Sequence, residues 1–170
     1  TTLAIILTPL YIYLLADQTI NIDLSGLMKS TFFIIFLPVS SGFIINTFLK
    51  TNKKILNSLP VFSEITIALI ISIIFAVNFD NLINISYKMI FGVVLHNLIG
   101  LVLALKITQI LNYPEDVRKT VAIEVAMQNS GLGMTLALIH FSKIVALPSA
   151  IFSLWHNISA AGLVYLWKKK

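Results

Sequence analysis

Glu124-Val-Ala-Met-Gln-Asn-Ser-Gly-Leu-Gly133, EVAMQNSGLG, places a carboxylate, two amides, a hydroxyl and two glycines inside one of the most apolar regions of a very apolar chain. The residues around it, 117–141, otherwise read as one membrane-spanning run. Glu124 lies eight residues after Asp116, which puts it roughly 12 Å into a hydrocarbon core about 30 Å thick. A carboxylate at that depth costs about 3 kcal/mol or more on insertion scales, and such residues usually face an interior cavity or pathway. No Lys or Arg lies at matching depth in this span or its neighbours. A bound hard cation, which takes oxygen ligands, is the natural partner.

The following residues supply such ligands. Gln128 brings an amide oxygen one helical turn later. Asn129 and Ser130 suit caps and breaks better than helix interiors, and Gly131 and Gly133 permit irregular backbone. The pattern predicts a helix that unwinds near 125–130 and restarts. Unwinding frees main-chain carbonyls, such as those of Val125 and Met127, for a cation, and the restarted half presents its amides to an anion. Irregular backbone at membrane depth is tolerated where it lines a cavity or is buried in protein. Interrupted helices of this kind form ion and substrate sites in secondary transporters. For Asn129, Ser130 and the glycines taken alone, close helix packing and interhelical hydrogen bonding is the competing reading.

The rest of the chain frames this stretch. Of its 170 residues 58% are hydrophobic and 11% charged, against about half and about a quarter in soluble domains. Apolar runs of about 17–25 residues read as spans. The expected layout is the end of a span at 1–16, complete spans at 27–49, 60–77, 82–111, 117–141 and 144–167, and short connectors between them. The 82–111 run is long enough to tilt or project. If the spans alternate, Lys50, Lys53, Lys54, Lys106, Arg118, Lys119, Lys168, Lys169 and Lys170 share one side, nine of the twelve basic residues. Lys29, Lys88 and Lys143 fall on the other, with Asp17, Asp23 and Asp80. Excess Lys and Arg mark the cytoplasmic face. The C-terminus is therefore expected inside, in a multi-pass protein of the plasma (inner) membrane. The net charge of +5 is a topology signal and not a nucleic-acid surface. The chain begins at Thr1 with no basic n-region, unlike a signal peptide, and reads as starting inside a longer protein.

Two further polar pairs lie at depth, His96-Asn97 and His156-Asn157. Interhelical hydrogen bonding is the reading for His96 and Asn97. His156 and Asn157 sit mid-span beside the interrupted helix, where both that reading and cavity lining stand. Asn84 and Asn157 each open an N-x-S pattern without further support. An enzyme is not expected. The chain has no cysteine, its histidines lack the H-E-x-x-H spacing of a zinc protease, and Ser130 lacks the hydrolase elbow. No cofactor is implied beyond a coupling cation.

The stretches Thr120–Phe141 (TVAIEVAMQNSGLGMTLALIHF) and Ala146–Ala160 (ALPSAIFSLWHNISA) closely resemble the C-terminal part of the bile acid:sodium symporter family. Ile6–Ala16 (ILTPLYIYLLA), Leu37–Phe48 (LPVSSGFIINTF) and Val93–Gly100 (VVLHNLIG) fit the same family in the same order. The resemblance implies an all-α membrane fold of ten helices in two inverted repeats of five. A panel domain and a core domain flank a substrate crevice, and two broken helices cross in the core. This chain corresponds to the end of helix five and helices six to ten, the C-terminal inverted repeat, with 27–49 and 60–77 panel-like and 82–111, 117–141 and 144–167 core-like. The resemblance further implies a sodium site made by the side chains of Glu124 and Gln128 and the carbonyls of Val125 and Met127, with one glutamine from helix three. A second sodium site would combine Glu124 with helices four and five. Asn129 would meet the substrate at the crossover, and His156 and Asn157 would stand near the cavity. Ala160 replaces a glycine common after the His-Asn-Ile-Ser motif.

The expected function is thus the C-terminal part of a sodium-coupled symporter for organic anions of the bile acid type, working by alternating access. Its expected partners are the lipid bilayer, sodium, a small organic anion and the N-terminal half of the fold. The alternative is a non-transporting membrane fragment or interaction subunit. A third reading, a proton-driven carrier titrating Glu124, predicts pH dependence without sodium dependence.

Overall fold

The computed structural model describes residues 3–16, 22–48, 53–83 and 85–168, with side chains 53–55 left out of the description. Thr1, Asp17, Lys50, Asn84, Lys169 and Lys170, which figured in the sequence reading, lie outside the described residues. The chain is all helical where described: α1 (Ala4–Ala16), α2 (Leu24–Phe48), α3 (Lys53–Val77), α4 (Phe79–Ile83), α5 (Tyr87–Ile110), α6 (Glu115–Ala126), α7 (Ser130–His140) and α8 (Leu147–Lys168). By length and composition, Leu24–Phe48, Leu56–Val77 and Tyr87–Ile110 can each cross a membrane. Large apolar side chains point outward along them, among them Phe33, Phe43, Phe62 and Phe91. Such a surface is compatible with lipid and not with water; the chain is a membrane protein.

Local chemistry sets the helix ends. Asp23 Oδ1 accepts from Gly26 N at 2.9 Å at the start of α2, so this helix begins three residues before the expected 27. The expected run 82–111 is not one long helix but two. Ser86 caps α5, its hydroxyl accepting from Lys88 N at 3.2 Å, because a serine hydroxyl competes with continued helix. α5 closes with Asn112 at φ 57°. There Asn112 N donates to Gln109 O and Tyr113 N to Thr108 O, both at 3.0 Å, the paired bonds of a left-handed helix cap. Pro114 then opens α6, whose first turn carries Glu115 and Asp116 as its dipole favours. α3 starts earlier than the expected 60 and contains Pro60. α8 starts later than the expected 144, after the turn at Ser142–Ala146 in which Val145 N reaches Ser142 O and Leu147 N reaches Ile144 O, both at 3.1 Å.

Three buried clusters hold the helices. Ile71 and Ile74 of α3 meet Met134, Ala137, Ala146 and Ala150. Leu27 and Ile35 of α2 meet Leu132 and Leu136 of α7. Leu101 and Ala104 of α5 meet Ala122 and Ala126 of α6. Small residues let these helices approach closely, the usual solution in lipid. At Gly133 a Cβ atom would stand 2.7 Å from Ser149 Oγ, so the glycine lets α7 lie against the start of α8. Asn78, 1% exposed, ties the end of α3 to the α7–α8 turn. Its amide nitrogen donates to Ile74 O at 2.9 Å and to Lys143 O at 3.0 Å.

Candidate functional site

The apolar run 117–141 folds as α6 and α7, separated by Met127, Gln128 and Asn129. Met127 N still closes the last turn of α6 on Ile123 O at 2.8 Å, but its ψ of 75° turns the chain out of the helix. Asn129 caps α7, its Oδ1 accepting from Leu132 N at 3.0 Å. Ser130 N, which a continuous helix would aim at Ala126 O, donates to Gln128 O at 2.9 Å. The Ala126 carbonyl is rescued from α5: Asn97 Nδ2 donates to it at 3.0 Å. No turn or side-chain donor among the described residues reaches the Val125 or Met127 carbonyl. The interruption falls inside the expected 125–130 and is narrower: Val125 and Ala126 stay helical and Ser130 already opens α7.

Asn97 is 2% exposed and does more than this one bond. Its Oδ1 accepts from Trp155 Nε1 at 3.2 Å and from Ser159 Oγ at 3.0 Å, both on α8. One amide therefore joins α5, the end of α6 and α8. His96, its neighbour, turns to the other side. His96 Nε2 lies 3.0 Å from Gln128 Oε1; with the proton on Nε2 the ring donates and fixes the carboxamide. The sequence assigns both residues to bonding between helices, and both make such bonds: Asn97 to α6 and α8, and His96 to Gln128 at the α6–α7 junction. Adjacent residues on a helix face directions about 100° apart, so one pair of polar residues can serve two places, and packing decides which residue serves which.

Gln128, Asn129, Ser130 and Gly133 line an open cavity of about 400 Å3 together with His96, Ser149 and Phe152. The α6 C-terminus, the negative end of its dipole, and the α7 N-terminus, the positive end, meet at the gap. The first suits a cation held by oxygens, the second an anion. Glu124 lies one turn before Gln128, exposed, and has no hydrogen bond or ion pair among the described residues. Val125 and Met127 are exposed beside it at 42% and 40%. Among the described residues no three His, Cys, Asp or Glu side chains cluster as a metal site, so a cation here would rely on one carboxylate with amide and main-chain oxygens.

His156 and Asn157 part company. His156 is 7% exposed and its ring meets Phe152 edge-on, with centroids 5.2 Å apart. Its Nδ1 finds no partner among the described residues. Asn157 is exposed and its amide donates back to Ser153 O at 2.6 Å. It borders two crevices, one with Met127 and Ile123 and one with α3. The structure thus brings Gln128 and Asn129 to one cavity, Met127 and Asn157 to another, and leaves His156 behind Phe152.

A sequence model described as the sodium bile acid symporter family matches residues 1–85. The chain is 39% identical over its whole length to "Uncharacterized sodium-dependent transporter YocS" of Bacillus subtilis (strain 168), of which it covers 53%. It is 30% identical, over 99% of its length, to "Probable sodium/metabolite cotransporter BASS1, chloroplastic" of Arabidopsis thaliana, covering 43% of that protein. It is 28% identical, over 98% of its length, to "Probable sodium/metabolite cotransporter BASS2, chloroplastic" of Oryza sativa subsp. japonica, covering 40%. The chain spans about half the length of the first of these relatives and less of the others.

Proposed function

The chain belongs to the sodium bile acid symporter family, and from that premise we propose that it forms the C-terminal part of a sodium-coupled symporter for small organic anions. No enzymatic step is needed: the family is one of secondary transporters. The observation that carries the reading is the gap at Met127–Asn129, where α6 ends, α7 begins and His96 holds Gln128 at 3.0 Å. Sodium is held by Glu124, Gln128 and the carbonyls of Val125 and Met127. It neutralises the intramembrane carboxylate and orders the interrupted backbone. The ordered backbone then offers Asn129 and the α7 N-terminus to the substrate carboxylate, with Asn157 on the crevice wall and His156 behind Phe152 supporting it. The part built from α5 to α8, with the interrupted helix, rocks against α2 and α3, and the C-terminal lysines stay on the cytoplasmic side of the plasma membrane.

Coupling requires that sodium favour the substrate-competent state, since a ligand of equal affinity for both states shifts nothing. The test uses the complete protein that carries this chain. Glu124→Ala and Gln128→Ala are each expected to abolish sodium-dependent uptake into proteoliposomes. Normal sodium dependence in both variants sinks the assignment. A pH-dependent, sodium-independent uptake in the unmodified protein replaces sodium with a proton at Glu124.

A further inference from the structure

Three helix ends meet away from the sodium-site residues. α5 finishes at Ile110, α6 starts at Glu115 and α8 finishes at Lys168. Leu105 of α5 and Trp167 of α8 pack there against the cluster that joins α5 to α6. Between the three ends lies a cleft of about 220 Å3, lined by Leu105, Gln109, Glu115, Arg118, Lys119 and Trp167. Its wall thus carries two cations and one anion. Glu115 answers Lys119, whose Nζ is 2.6 Å from Glu115 Oε1. Lys119 is held from a second direction by the Trp167 ring, with Nζ 5.7 Å from its centre, within cation–π range. An ammonium group has three donors, so a Lys119 fixed in this way keeps hydrogen to offer. Arg118 is the surplus cation. Its Nε is buried and has no hydrogen-bond partner among the described residues. A buried donor left unmade is costly, and the planar guanidinium fork matches two oxygens of one phosphate or carboxylate. An acceptor from outside the chain removes that cost.

The surroundings say which acceptor fits. The turns that form the wall also carry Ile107 and Ile110 on α5 and Leu166 on α8, all exposed. Trp side chains settle at the boundary between hydrocarbon and water, and exposed Lys106 and Lys168 add positive charge at the same helix ends. A soluble anion meets the cations and leaves the apolar rim unused, whereas a phospholipid uses both. Basic pockets between membrane helices hold anionic lipid headgroups. We propose that this cleft binds the phosphate group of an anionic phospholipid. Arg118 donates through Nε and a terminal nitrogen to two phosphate oxygens, Lys119 supplies the second cation, and the acyl chains run along the exposed apolar side of the helix ends. A choline headgroup brings its own positive charge against Arg118 and Lys119 and is disfavoured. The site requires neither the sodium ligands nor a transported substrate, so it stands or falls apart from the transport reading.

The test is native mass spectrometry of the complete protein in detergent, titrated with phosphatidylglycerol or with phosphatidylcholine. Phosphatidylglycerol is expected to bind at least tenfold more tightly. Arg118→Gln weakens phosphatidylglycerol at least tenfold and leaves phosphatidylcholine within twofold. Lys106→Gln removes the same charge at the same helix ends but outside the cleft, and changes either lipid by less than twofold. Glu115→Gln takes the competing carboxylate out of the wall and tightens phosphatidylglycerol several-fold, a gain that a merely structural role does not produce. Equal affinity for the two lipids in the unmodified protein overturns the proposal. So do equal losses in Arg118→Gln and Lys106→Gln, which mark diffuse attraction to the basic face. Inorganic phosphate in large excess is expected to leave the lipid bound; displacement gives the cleft to a soluble anion and overturns the lipid assignment. If Arg118→Gln does not fold, Glu115→Gln decides: tighter phosphatidylglycerol supports the proposal and an unchanged affinity overturns it.

Discussion

The dipeptide His-Asn occurs twice, on α5 and on α8, and the two copies do opposite things. On α5 the asparagine is buried, joining three helices, and the histidine faces a cavity and holds Gln128. On α8 the histidine is buried against Phe152 and the asparagine faces the crevices. Phe152 stands between the two rings, 5.7 Å from His96 and 5.2 Å from His156. Two identical letters are thus distributed by helix rotation. What matters for each is which neighbour reaches it, and that is decided by packing far along the chain.

The comparison breaks most visibly at Asn97. Replacing it with Ala leaves the Ala126 carbonyl, the Trp155 indole N–H and the Ser159 hydroxyl without their cross-helix partner. An orphaned buried group costs about 1–3 kcal/mol, so Asn97→Ala is expected to destabilise by about 3 kcal/mol or more, read as a fall in the unfolding midpoint in detergent. A shift no larger than that of a surface variant disproves the central role given to Asn97. His96→Ala removes one bond at a cavity wall. Its expected cost is about 1 kcal/mol, with the larger effect on sodium: half-saturating sodium for uptake rises several-fold while the midpoint barely moves. The smallest effect is at His156. Its Nδ1 is already unpartnered among the described residues, so His156→Phe keeps the packing and loses no identified bond. It is expected to change stability by less than about 1 kcal/mol. A collapse in that variant reveals a partner for the ring and closes the difference between the two pairs.

Much of this was legible in the residues. Continuous apolar runs announced the spans, and Gln128-Asn129-Ser130-Gly131 announced the gap between α6 and α7, because asparagine and serine side chains compete for backbone groups and glycine permits irregular backbone. The split of 82–111 was harder to read, since one serine cap decides it and the apolar pattern continues on both sides. The facing of each His-Asn pair was not legible, because a two-residue motif carries no information about helix rotation. Glu64, the carboxylate within α3, went unread for a different reason. The expected span begins at 60, which puts Glu64 four residues, about 6 Å, from its edge, whereas the structure carries α3 back to Lys53. The residues that matched the family model, 1–85, exclude Glu124–Gly133 altogether. The relatives that align along the full chain join the two halves.

Asn78 has a mechanical meaning. It fastens one end of α3 to the turn before α8, and Ile74 and Ile71 continue that attachment against α7, α8 and the turn between them. The footing is seven residues long, about 10 Å at the helical rise. From Leu56 to Ile70 the side chains stand exposed. The helix is a post set at one end, its last two turns driven into its neighbours and the rest left uncovered by them.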